Sequence, residues 1–297
     1  MSQPIATSPA PRSWAAENAT RHPVTAFLVI LIVPTWTLYA VALLTGFPFM
    51  AAKLAELVFL IAAPVMVTRW IGGRPAVRTL FRGLTRWRLG VPRYLMILFA
   101  MPLLTLLVAL ISGTAGTPAG GWANMALIYA VLVIAGALTG NLWEETAWSG
   151  FAQGRLMARR GLLAGSLLTA IPFALIHLPL AWESGGLAGT TARDVLITWG
   201  YLIVLAPFMR YLIGMVLVDT NGSVLAAGLL HASMNASGAL AAVHGVWQYP
   251  AALIALTFLV AGFRSVRGRS AVQGFSPALP TDEEPVQATP RAVPARS

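Results

Sequence analysis

The sequence predicts an all-α, polytopic membrane protein of about eight transmembrane helices. Three observations lead there. Of its 297 residues, 57% are hydrophobic and only 10% are charged, whereas a water-soluble domain carries about 25% charged residues. Apolar runs recur at lengths near the ~20 residues that cross a bilayer. Arginines gather in alternate connections between those runs.

Residues 1–22 are polar and Pro/Ala-rich with no apolar run ahead of them, which reads as a short cytoplasmic tail and not as a cleaved signal peptide. A membrane domain over 23–263 follows, with spans expected at about 23–44, 50–69, 92–112, 124–158, 162–178, 193–218, 223–243 and 248–263. Residues 264–297 mix Pro, Arg and acidic residues without periodicity, and are expected to be a disordered tail.

Charge sets the orientation. The connection after the second span holds Arg69, Arg74, Arg78, Arg82, Arg86, Arg88 and Arg93. The connection after the fourth holds Arg155, Arg159 and Arg160, and the last tail begins with Arg264, Arg267 and Arg269. The intervening connections 45–49, 113–123 and 244–247 contain neither Arg nor Lys. Eight spans with both termini in the cytoplasm, in the cell membrane, satisfy this pattern. The net charge of +10 therefore speaks for topology and anionic lipid, so the expected partner is the lipid bilayer and not nucleic acid. Absence of cysteine excludes disulfides, a thiol nucleophile and cysteine metal sites. The Arg-over-Lys bias, with abundant Ala and Gly, suggests a GC-rich bacterial genome.

Against this apolar background the stretch Asn141–Leu156 (NLWEETAWSGFAQGRL) is conspicuous, because it sets Glu144 and Glu145 side by side. A carboxylate within a membrane segment is functional or paired by default. Two later stretches supply partners, Phe173–His177 (FALIH) and His231–Asn235 (HASMN). A helical hairpin turning near Arg160 brings Glu144 and His177 to similar heights, each about 25 Å from the tip. The site is then expected roughly 10–15 Å below the cytoplasmic surface. Pro179 should end the helix that carries His177.

Adjacent helical residues project about 100° apart, so only one of the two glutamates can face a given partner. Glu144 shares a face with Trp148, and Glu145 with Ser149. Phe173 and His177 share one face, as do His231 and Asn235. Such a set suits hydrolysis: a glutamate takes a proton from water, an imidazole orients that water, and His with Asn donates to a developing oxyanion. Alternatively a glutamate, His177 and His231 ligate Zn²⁺ and leave a position for water, although the single-helix HExxH signature is absent. Each cluster also has a structural reading as a polar link between membrane helices. Arg210, late in the sixth span, is expected to snorkel to the cytoplasmic surface, with a substrate carboxylate or Glu145 as the other partners. With Phe173 and Trp148 it completes the candidate substrate contacts.

At these three clusters the chain resembles the CPBP family of intramembrane proteases, which includes type II CAAX prenyl endopeptidases and Abi-type bacterial proteins. That family is marked by EExxxR, FxxxH and HxxxN/D on separate membrane helices. Glu144-Glu145 opens the first motif, Phe173 to His177 fits the second and His231 to Asn235 the third, so the resemblance covers about 124–244. It implies an eight-helix endopeptidase with a catalytic cavity open toward the cytoplasm, acting on a peptide or membrane-protein substrate. It further implies Glu144 as general base, Glu145 in support, His177 as water-activating residue, and His231 with Asn235 as oxyanion hole. The family is described both as metalloproteases and as glutamate proteases, which leaves the metal open. One departure stands out: the motif arginine is Ser149 here. That loss motivates a second reading, a non-catalytic bacteriocin-immunity or scaffold protein. A third, a proton-coupled transporter using the same residues as a relay, is disfavoured by the absence of an inverted repeat.

Overall fold

The computed structural model describes residues 14–268, so most of the first tail and nearly all of the last lie outside the described residues. Within them every regular element is helical, and the one β-type pairing is an isolated bridge between Ala115 and Val243. The helices are α1 (Trp14–Arg21), α2 (Pro23–Thr45), α3 (Phe49–Arg82), α4 (Val91–Ile111), α5 (Gly121–Arg160), α6 (Leu162–His177), α7 (Ala192–Asp219), α8 (Val224–Ser237) and α9 (Gln248–Val266).

Seven of the described helices are long and apolar enough to cross a membrane: α2 to α5, α6 with its 3₁₀ continuation to Trp182, α7 and α9. Their outward faces are lined by large apolar side chains such as Leu103, Leu107 and Leu110 on α4 or Leu127, Val131 and Ile134 on α5. Patches of that extent require lipid or protein cover. The chain is an all-α, multi-pass membrane protein.

The expected span at 223–243 differs from the rest. It forms only α8, with 14 residues, about 21 Å at the helical rise and too short for the ~30 Å hydrocarbon core. Its sequence is apolar because it is buried on nearly all sides, among α4, α5 and α7. Composition does not distinguish such a core helix from a span. The irregular chain that follows is satisfied by protein: His244 N donates to Thr114 O at 2.9 Å and Gly116 N to Ala242 O at 2.9 Å. This is the condition under which non-helical backbone persists at membrane depth.

Other boundaries also moved. Residues 14–21 of the first tail form α1, which packs on α2 and α3 and buries Ala16 and Ala19. Helix α3 continues well past residue 69, through a break at Gly72 and Gly73, to Arg82. The arginine run therefore marks the exit from the apolar zone and not the end of the helix. Helix α9 extends to Val266, and Arg264, expected in the tail, is buried in an ion pair with Asp219.

Helix starts are encoded locally. Thr191 and Asp194 form a reciprocal capping box on α7. Ser223 caps α8 by accepting from Ala226 N at 3.1 Å, and its hydroxyl donates to Arg86 O at 2.8 Å, which ties α8 to the chain after α3. As expected from Pro179, α6 ends at His177. The core between α2, α5 and α6 is an aromatic ladder in which Trp148 packs edge-on against Phe27 at 5.5 Å and Phe173 at 5.6 Å.

Candidate active site

The acid pair sits in an irregular stretch of α5. Ala137–Asn141 and Thr146–Gln153 are π-helical, and the single α-helical turn Leu142–Glu145 lies between them. Such segments are rare and concentrate at functional sites. Glu144 and Glu145 leave that turn in different directions and acquire different surroundings.

Glu145 is fully buried and bonded throughout. Arg210 of α7, itself at 0% exposure, donates from Nη1 to Oε1 at 2.8 Å and from Nη2 to Oε2 at 3.0 Å. The Ser149 hydroxyl also donates to Oε2, and itself accepts from Arg210 Nη2 at 2.9 Å. Gln153 Oε1 accepts from Arg210 Nε at 3.0 Å, while its Nε2 donates to Arg210 O at 2.7 Å and to Ser166 Oγ at 3.0 Å. A buried carboxylate requires this degree of compensation. Gly214, one turn beyond Arg210, permits the close approach: a Cβ there would stand 2.5 Å from Ser166 Oγ and 2.8 Å from Gln153 Nε2.

Arg210 thus does not snorkel. Its guanidinium turns inward because the α7 face that carries it is packed against α5 and α6. It also answers the departure at Ser149. The motif's arginine would project from the helix of the acid pair, whereas here a small serine leaves room for a guanidinium arriving from α7.

Glu144 is the less encumbered acid. Its side chain is 17% exposed, and Asn141 Nδ2 donates to Oε2 at 3.2 Å. Oε1 lies 3.8 Å from His177 Nε2 and Oε2 lies 3.6 Å from His231 Nδ1. His177 is anchored from behind, with Nδ1 2.6 Å from the Phe173 carbonyl. A carbonyl only accepts, so Nδ1 carries the hydrogen and Nε2 is the nitrogen turned to Glu144. His231 Nδ1 is 2.9 Å from Glu145 Oε1, and by the same reasoning donates to that carboxylate.

Phe173 backs the site: its ring centroid is 4.6 Å from that of His177 and 6.1 Å from that of His231, and the Arg210 guanidinium lies 5.1 Å from it. Of the expected substrate contacts, Trp148 and Arg210 are fully buried and Phe173 nearly so, and all three make their contacts within the protein. Asn235 lies one turn after His231 with its side chain exposed.

Three contributions went unnoticed in the sequence. Gln153 completes a stripe with Glu145 and Ser149 at four-residue spacing, a legible signal on a buried helix. Asn141, three residues before Glu144, carries the same kind of signal. Glu56 on α3, bonded by the Tyr39 hydroxyl at 2.5 Å, is an acid in a largely apolar run, and the rule that flagged the acid pair applies to it equally.

The donor set does not fit a zinc ion. Among the described residues no three His, Asp or Glu side chains converge in a metal-binding arrangement. The His231 nitrogen nearest Glu144 is committed to Glu145, and the Arg210 cation occupies the far side of that acid.

Residues 124–237 match the family model of the type II CAAX prenyl endopeptidase Rce1-like proteins. Over this stretch the chain is similar to CPBP-family intramembrane proteases. The matched region includes all three clusters, from the acid pair to Asn235, and α2, α3, α4 and α9 flank it. Among curated proteins none matches the chain.

Proposed function

We propose that the protein hydrolyses a peptide bond of a membrane-associated protein or peptide by glutamate-activated water, near the cytoplasmic side of the cell membrane and with both termini in the cytoplasm. The observation that carries this reading is the division of labour between the two acids. Glu145 is consumed by Arg210, Ser149 and His231, while Glu144 keeps an open oxygen opposite His177.

The 3.8 Å between Glu144 Oε1 and His177 Nε2 exceeds a direct hydrogen bond. A water lying off that line reaches both atoms at about 2.8 Å. It donates one hydrogen to each, which turns a lone pair toward the carbonyl carbon of the substrate. As the new C–O bond forms, the water proton bound to Glu144 transfers to the carboxylate, and the carbonyl π pair moves onto oxygen. That oxyanion accepts from the Asn235 carboxamide and, when its ring is doubly protonated, from His231 Nε2. Glu144 then returns the proton to the amide nitrogen, the C–N bond breaks, and a carboxylic acid and an amine leave. Glu145 and Arg210 hold the ring of His231 and touch no reacting atom.

The immunity or scaffold reading rested on the loss of the motif arginine, and Arg210 at Glu145 removes that motive. The test compares peptide termini in membranes of cells carrying the wild type or Glu144→Gln at equal abundance. New ends that vanish in the variant name the substrate, with a rate loss of about 10²–10⁴-fold for a missing general base. Identical terminal profiles would refute the proposal.

A further inference from the structure

A third buried carboxylate, Glu56, lies on α3, outside the region that matches the family model. The buried residues of α3 include Ala52, Leu60, Ala63, Val67 and Thr68, and the one charged residue among them is Glu56, which is 8% exposed. A charge in such a setting is retained for pairing or for function. Its pairing is incomplete: the Tyr39 hydroxyl donates to Oε2, and Oε1 is bonded to none of the described residues. Helix α3 packs against the Leu142–Glu145 turn that carries the acid pair.

The same two helices hold the chain that follows His177. Lys53, three residues before Glu56 on α3, pairs with Glu183 at 2.5 Å. Leu180 packs on the small cluster of Tyr39, Ala42 and Ala52. The α2–α3 hairpin therefore grips the segment leaving α6 at both its apolar and its charged point, and brings one carboxylate near the histidine where that segment begins.

We propose that Glu56, held by Tyr39, is a positioning residue of the hydrolysis: a buried negative charge that strengthens His177 Nε2 as acceptor of the second hydrogen of the water that Glu144 deprotonates. A preorganised charge in a water-poor site acts most strongly where charge develops in the transition state. The inference rests on Glu144 and His177 as the water-activating pair.

The experiment begins with the termini lost in Glu144→Gln. If none is lost, the proposed function fails and this inference with it. If ends are lost, a quenched fluorescent peptide spanning that bond serves as probe for the full-length protein in proteoliposomes. Glu56→Gln keeps the shape and an acceptor for Tyr39 but removes the charge. The expected result is a fall in kcat of about tenfold with KM within about twofold, at unchanged thermal stability. Glu56→Asp should recover most of the loss. A kcat within about twofold of wild type, or a change confined to KM, overturns the role. Should Glu56→Gln fail to fold, Tyr39→Phe decides: a loss of about threefold in kcat supports the role, and an unchanged kcat overturns it.

Discussion

Replacing Arg210 by Met tests the architecture of the site most directly. The substitution keeps a long side chain in a fully buried position but removes the fork that lies 2.8 and 3.0 Å from Glu145. Glu145 would then keep only its bonds from Ser149 and His231. Breaking a buried pair by removing one partner costs about 3–5 kcal/mol, because the other charge is left uncompensated. Removing that charge as well, in Arg210→Met with Glu145→Gln, should restore about 2–3 kcal/mol relative to the sum of the single changes. The assay is equilibrium unfolding by SDS in mixed micelles, followed by tryptophan fluorescence and far-UV circular dichroism. Additivity within about 0.5 kcal/mol would refute the reasoning, since it would mean that the two side chains do not interact. Arg210→Lys should rescue poorly, because an ammonium cannot donate to both carboxylate oxygens, Ser149 and Gln153 from one place.

Phe173→Ala should cost about 3–5 kcal/mol of stability, and activity should fall with it, because the ring backs His177, His231 and Arg210 together. Stability in the same unfolding assay and turnover of the identified peptide check both. Overnight treatment with a strong zinc chelator should leave turnover unchanged, as the water-activating pair needs no metal in the proposed reaction. Loss of activity that returned on adding zinc would refute that mechanism.

Several features were legible because they depend on local chemistry. An intramembrane acid pair is costly wherever it falls, so Glu144 and Glu145 stood out without knowledge of any contact. The distances along α5 and α6 put His177 at the depth of Glu144, and the two do meet. The role of Arg210 was not legible. A cation near a helix end can turn outward or inward, and the outcome depends on which face of α7 abuts α5. Glu56 adjoins no other acid and no histidine in the sequence, and its place beside the segment that follows His177 arises from the packing of the α2–α3 hairpin.

Sequence by itself determined the helical class, the order of the membrane segments and the motif residues, because apolar length and polar interruptions are properties of single segments. Tertiary structure alone decided that α8 is a buried core helix, that Arg210 occupies the place left by Ser149, and that one glutamate is locked while the other is open. Those outcomes turn on which helix faces meet, and a buried charge takes whatever partner that meeting brings within hydrogen-bond reach.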